Sequence, residues 1–175
     1  MKYTFISILL TFTVFLVNAQ ESEKMSKKEQ KMEKLAQQKE TVKKMIEGKS
    51  FVFEARNAFS STAGNVNINY PYNVKLTNDS IYSYLPFYGR AYRVEYGSTE
   101  SPMVFDLPFQ ELEIIKKKKM GYLVDVKVKK DMDIIVFSFN ISDTGSATLT
   151  VNSADREVIT YYGELTAEQK EDKSL

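Results

Sequence analysis

The 175-residue chain contains no cysteine and no histidine, and it spends only seven glycines and four prolines. Each absence closes off some chemistry. Without cysteine there is no disulfide, so the chain must hold itself together by its core alone. No cysteine is present to carry a lipid either. With histidine missing as well, the commonest nucleophile and base partners are gone, as are the thiolate and imidazole ligands that zinc and copper prefer. Carboxylate, Lys, Tyr or Ser chemistry and oxygen-ligand metals stay open, but no cofactor and no metal is expected. Excess charge is lacking too: 24 basic residues face 23 acidic ones, so no global field draws the chain to nucleic acid.

A single long apolar run, Tyr3 to Val17, follows Lys2 and ends in Val17-Asn18-Ala19. A positive start, an apolar centre and a small-residue end make residues 1–19 a signal peptide, with the mature chain beginning at Gln20. The run falls short of the roughly 20 residues a membrane span needs, and Glu21 follows it. The expectation is a periplasmic or secreted protein with no transmembrane anchor after cleavage.

Residues 20–48 are rich in Lys, Glu, Gln and Met, lack proline and stop at Gly48, which predicts a helix or linker with a glycine cap. Met25, Met32, Leu35, Val42, Met45 and Ile46 form a loose stripe that Lys28 and Lys39 interrupt. Such a stripe suits a lead-in whose last turns pack on the domain better than a coiled coil, which wants apolar positions over three or four heptads.

From 49 to 166 the period becomes two. Tyr122, Val124, Val126 and Val128 alternate with Leu123, Asp125, Lys127 and Lys129, the pattern of a half-buried strand. Ile135, Phe137, Phe139 and Ile141 repeat it, then Ala147, Leu149 and Val151, then Val158, Thr160 and Tyr162, while Phe51, Phe53, Val74, Leu76, Ile81, Leu85, Leu112 and Ile114 mark earlier strands. Asn78-Asp79, Met120-Gly121, Lys130-Asp131 and Asp143-Thr144-Gly145 divide these runs as hairpin turns do. The fold class is α+β, mostly β: an N-terminal helix, then one antiparallel domain, a strongly curved sheet or incomplete barrel of about eight strands. Residues 167–175 are a polar tail. Two segments break the meander: Asn57 to Asn69, with the composition of a mobile loop or irregular edge, and Pro86 to Pro102, a long connection crowded with rings.

Four motifs invite a functional reading. Asp143-Thr144-Gly145-Ser146 matches the aspartic-protease signature, but that mechanism needs two aspartates sharing a proton, and these are ordinary turn residues. Asp125, Asp131 and Asp133 lack the spacing of a calcium loop. Lys116 to Lys119 with Lys127, Lys129 and Lys130 surround one hairpin, either as a basic patch for an anionic surface or as guards of a strand edge. The fourth motif is Tyr84 to Tyr92, YLPFYGRAY. Tyr84, Phe87, Tyr88, Arg90 and Tyr92 are the residue types of recognition surfaces, and they are the candidate ligand-binding or partner-binding residues; the competing reading is that Leu85 and a ring or two finish the core.

The FVFEA stretch at Phe51, the YLPFYGRAY box and the closing Ile159-Thr-Tyr-Tyr-Gly-Glu-Leu165 together resemble the bacterial domain of unknown function 4251 family, over roughly Lys34 to Thr166. The resemblance implies a small exported protein with a single mostly β domain, and it brings no catalytic residue. Some members are lipoproteins; this chain lacks their cysteine. The expected function is a non-enzymatic one, binding an unidentified small molecule or an envelope protein through the aromatic loop. The alternatives are a purely structural or interaction protein of the cell envelope, or a hydrolase with two converging carboxylates. Nothing in the residues fixes the oligomeric state.

Overall fold

A computed structural model describes residues 27–93, 101, 103–118 and 121–167. Helix α1, Lys27–Glu47, is followed by β1 Phe51–Ser60, β2 Gly64–Asn67, β3 Asn73–Leu76, β4 Ser80–Tyr84, β5 Val104–Lys116, β6 Tyr122–Lys130, β7 Asp133–Ile141, β8 Ser146–Ser153 and β9 Arg156–Thr166. Among the described residues no helix is long and apolar enough to cross a membrane. Contacts divide the chain after Lys34 into two units, and every strand belongs to the second, Leu35–Leu175.

Strands β3 to β9 pair in sequence order, all antiparallel. The sequence leaves open whether this curved sheet closes. It does, because β1 pairs with β3 on one edge and with β9 on the other. Eight strands make the closed barrel, and β2 is an added edge strand that takes over from β3 along the second half of β1. The segment read as a mobile loop or irregular edge is therefore an edge: Asn57 to Ser60 complete β1, and Gly64 to Asn67 turn back along it.

The closing seam has its own geometry. A bulge at Arg56 shifts the register between Ala55 and Asn57, adding the local twist a barrel corner needs. Gly163 faces Ala55 there, and a Cβ on it would lie 1.9 Å from the Glu54 carbonyl oxygen. Only glycine lets the two strands approach so closely.

The alternation read from the sequence is the barrel's inside-outside pattern for β6, β7 and β8: Val124, Val126, Val128, Ile135, Phe137, Phe139, Ile141, Leu149 and Val151 are buried. Rings meet across the interior: Phe51 and Phe53 of β1 lie 5.4 and 5.9 Å from Phe139 of β7, edge to face, although β8 and β9 separate those strands in the wall. Phe105 of β5 meets Phe137 of β7 at 5.9 Å. The last strand corrects the reading by one residue. Val158 and Tyr162 are 47 % exposed, whereas Ile159 and Tyr161 are fully buried and Glu157 is 8 % exposed. Both phases of β9 are apolar enough to face inward, and a glutamate on the true inner phase disguises it.

Strand direction puts the starts of β1 and β8 at the lower end of the barrel and their ends at the upper. At the lower end the second half of α1 closes the barrel: Val42, Met45 and Ile46 join the core, Val42 lies beside Gly145 in the β7–β8 turn, and Lys39 meets Asp143 at 3.6 Å. Asp143 is thus a turn residue with a surface ion pair. At the upper end the aromatic box crosses the opening. Leu85 is fully buried, and Phe87 and Tyr88 pack on the core. Tyr161 donates to the Pro86 carbonyl at 2.6 Å, Ser60 donates to the Tyr88 carbonyl at 2.5 Å, and Ala91 bridges to Arg156. Burial pushes the Tyr161 phenol far above its ordinary value, so it stays a donor.

Glu157 ties this lid down. Its carboxylate accepts from the Ser61 hydroxyl, from the Thr62 amide and hydroxyl at 2.9 and 2.6 Å, and from the Arg90 amide at 2.8 Å. These bonds favour the ionised form, Ser61 and Thr62 most, and lower its pKa from 4.5 to about 2. Nearby, Asp133 is 7 % exposed; it accepts from Ser153 at 2.5 Å and pairs with Arg156 at 3.2 Å, so this carboxylate at the β6–β7 hairpin is a buried anchor.

Two outcomes follow from the seam and the lid. Gly163→Ala forces the seam apart and lowers stability by about 1–3 kcal/mol, the usual cost of overpacking, measured by urea unfolding. Because the folded pKa of Glu157 is depressed, its stabilisation is complete above pH 4.5 and drains away as pH falls toward 2. Glu157→Gln therefore lowers Tm at pH 7 and flattens the acid side of a Tm-versus-pH profile; an unchanged profile would show that the carboxylate carries none of this stability.

Candidate functional site

The five candidate residues of the box do not form one site. Tyr84 is the last residue of β4, and the chain leaves the sheet there because Pro86 cannot continue a ladder. Tyr84 and Phe87 line one open cleft of about 550 Å³, whose other described walls include Tyr72, Pro86, Ser101 and Val104. Tyr88 instead packs on the core and serves the lid through its carbonyl. Arg90 and Tyr92 line a second cleft of about 360 Å³ with Ser61, Thr62 and Glu157. The Arg90 side chain is exposed there, and Tyr92 is 63 % exposed.

The first cleft is bordered by tyrosines that the sequence reading overlooked. Tyr70 and Tyr72 flank Pro71 on the approach to β3, and their rings lie 5.0 Å apart. Tyr72 lies 5.1 Å from Tyr84, and Tyr70 6.2 Å from it. Such spacings are those of attractive ring pairs. The Tyr84 phenol is raised above its ordinary value, first by its hydrogen bond with Tyr70 and then by burial, so it is neutral at physiological pH. The Tyr-Pro-Tyr spelling was the available signal; it sits beside a polar segment, and only the β3–β4 pairing, with Asn73 opposite Tyr84, brings its rings to the box. Tyr96, with the rest of residues 94–100 and Pro102 of the long connection, lies outside the described residues.

The second cleft has a carboxylate, but one saturated by four donors and ionised down to a pKa of about 2. A general acid or base needs a pKa near the working pH and a free lone pair or proton. Among the described residues no group of three or more acidic side chains is placed to share a cation.

The lysines of the β5–β6 hairpin do not gather. Lys116 and Lys117 sit beside Tyr122 and Gly121 at the lower end, while Lys129 and Lys130 face Ile134 and Asp133 at the upper. Lys127 pairs with Glu111 at 3.2 Å, and Lys130 lies 5.5 Å above the Phe105 ring. Lys119 and Met120 lie outside the described residues. Separation along the strands divides what sequence proximity had suggested was one patch.

A search of the curated proteins returned no match. Among solved structures, the barrel is similar to a DUF4251 family protein from Bacteroides eggerthii DSM 20697, with a TM-score of 0.56 and 12 % identity over 75 % of this chain and 89 % of that one. At that identity the likeness concerns the fold. The family profile described as Domain of unknown function (DUF4251) matches residues 33–165, from α1 through β9. The chain is therefore a member of the DUF4251 family.

Proposed function

We propose that the protein is an exported, non-enzymatic binding module that takes a small ligand against the ring faces of Tyr84, Phe87 and Tyr72. The observation that carries this reading is the cleft itself. Its volume of about 550 Å³ is that of a small-molecule site, and such sites are mostly apolar walls with a few polar groups. Here the polar groups are Ser101 and the Tyr84 phenol. A carrier that encloses its ligand within the barrel has less support, because rings from opposite walls touch across that space. The same filled interior, with a closure at each end, favours the second reading, a structural envelope protein that binds no small molecule. A carboxylate hydrolase is the weakest of the three, since the cleft carboxylate Glu157 has a lowered pKa.

Export rests on the leader alone: Lys2, the apolar run and Val17-Asn18-Ala19. N-terminal sequencing of the protein recovered from a periplasmic fraction is expected to read from Gln20. For the ligand, native mass spectrometry of the gently isolated mature chain is expected to show mass that denaturation releases and that Tyr84→Ala loses while remaining folded. A wild-type chain that carries no added mass, even after incubation with envelope extract, would move the function to the structural reading.

A further inference from the structure

The outer wall of the barrel carries its charges unevenly. On β5 and β6 the outward positions include Glu111, Glu113, Asp125, Lys127 and Lys129. On the opposite arc, register builds two rows with no charge in them. Asn140, Thr148, Tyr162, Asn57 and Asn67 stand side by side from β7 through β8, β9 and β1 to β2. The next row toward the upper end is Ser138, Thr150, Thr160, Phe59 and Asn65. All are exposed or half-exposed. In a chain with 27 % charged residues, two uncharged rows five strands wide are a property of position, because the residues come from distant parts of the sequence.

At one end of the first row the wall is concave. A groove of about 420 Å³ is lined by Asn140, Ser142, Ser146, Thr148 and Tyr162. Tyr162 presents a ring that is 47 % exposed. Lys117 donates to Asn140 Oδ1, which orients the amide, and the NH2 of that amide is a donor. Nearby Glu164, beside Ser146 in the β8–β9 register, is held by Arg56 at 2.6 Å. At the rim Glu164 is paired with Arg56 and Lys117 is held by the Asn140 amide oxygen, and the groove itself offers hydroxyls, an amide and a ring.

We infer that this wall is a binding surface for a neutral polysaccharide chain, with Tyr162 as the stacking platform and Asn140, Ser146 and Thr148 as hydrogen-bonding partners. A sugar has an apolar face that lies on a ring and hydroxyls that both donate and accept, so it satisfies amides and hydroxyls without needing a charge. Neighbouring strands are ~4.8 Å apart, about the length of one pyranose unit, so a chain lying along a row meets a polar side chain at each sugar. A second copy of the protein fits less well. Interface cores are rich in apolar rings, and burying this many amides and hydroxyls against another protein face is costly wherever one is left unpaired. The site is separate from the Tyr84 cleft.

The test is calorimetric titration of the mature full-length chain with cellohexaose, maltohexaose and mannohexaose, alongside light scattering for oligomeric state. At least one hexasaccharide is expected to bind, Tyr162→Ala to weaken it by about tenfold, equivalent to the loss of one ring contact, and Thr148→Glu to weaken it likewise, with Tm unchanged in both. Tyr84→Ala is expected to bind as the wild type does. The inference is overturned if none of the three binds, if both wall variants bind as the wild type, or if Tyr84→Ala alone abolishes binding, which would place the sugar in the cleft. A wild-type dimer that Thr148→Glu converts to monomer would overturn it too, by assigning the wall to a second copy.

Discussion

The structure depends on the pairing of β1 with β9. Without it the chain would be an open meander with two exposed edges, each a template for aggregation. With it, eight strands enclose one interior, and the interior rings of β1 reach those of β7. The seam needs three things at once: a bulge at Arg56, a glycine opposite Ala55, and a β1 long enough to serve two partners on its other edge. Lacking disulfides, the protein relies on this closure to bury enough apolar surface.

A closed barrel leaves two open ends, and the remaining elements answer to them. The last turns of α1 fill the lower end with Val42, Met45 and Ile46. The aromatic box fills the upper end with Leu85, Phe87 and Tyr88. A lid made of loop has unpaired backbone groups, and here they are met by Ser60, Tyr161 and Glu157. Buried polar groups are tolerated when satisfied, which is why a glutamate can sit on the inner phase of β9. The lid and the candidate cleft share Phe87, so whatever binds in the cleft does so against a surface that also holds the barrel shut.

Legibility followed sequence distance. Strands β6 to β8 were readable because their inner residues are Val, Ile, Phe and Leu while their outer ones are mainly Lys, Asp, Ser, Thr and Asn, and because Asp143-Thr144-Gly145 can only be a turn between them. Strand β9 was misphased because Val158 and Tyr162 look like core while Glu157 looks like surface. Within the box Leu85 is core, Phe87 and Tyr88 pack on it, Tyr84 and Phe87 line one cleft, and Arg90 and Tyr92 line another. Tyr72 could not be joined to Tyr84 without the β3–β4 register, nor Asn57 to Asn140 without three strand pairings in succession. Local periodicity shows which way a residue points; only the pairings show what stands beside it.

The uncharged wall follows from the same geometry. Flat strands with small neutral side chains are prone to stick to one another, and proteins usually interrupt them with Lys or Glu. The β5–β6 wall has that protection in Lys127, Lys129, Glu111 and Glu113. The two rows from β7 to β2 do without it, the Glu54, Arg56 and Glu164 charges of β1 and β9 standing below them, and keep mainly hydroxyls and amides, which stay solvated yet can be exchanged for other neutral hydrogen-bonding groups at little electrostatic cost. Two regions of one barrel wall are thereby suited to different neighbours: the charged β5–β6 face to water, the two uncharged rows to a ligand that resembles water in its hydrogen bonding and carries a face that can lie on a ring.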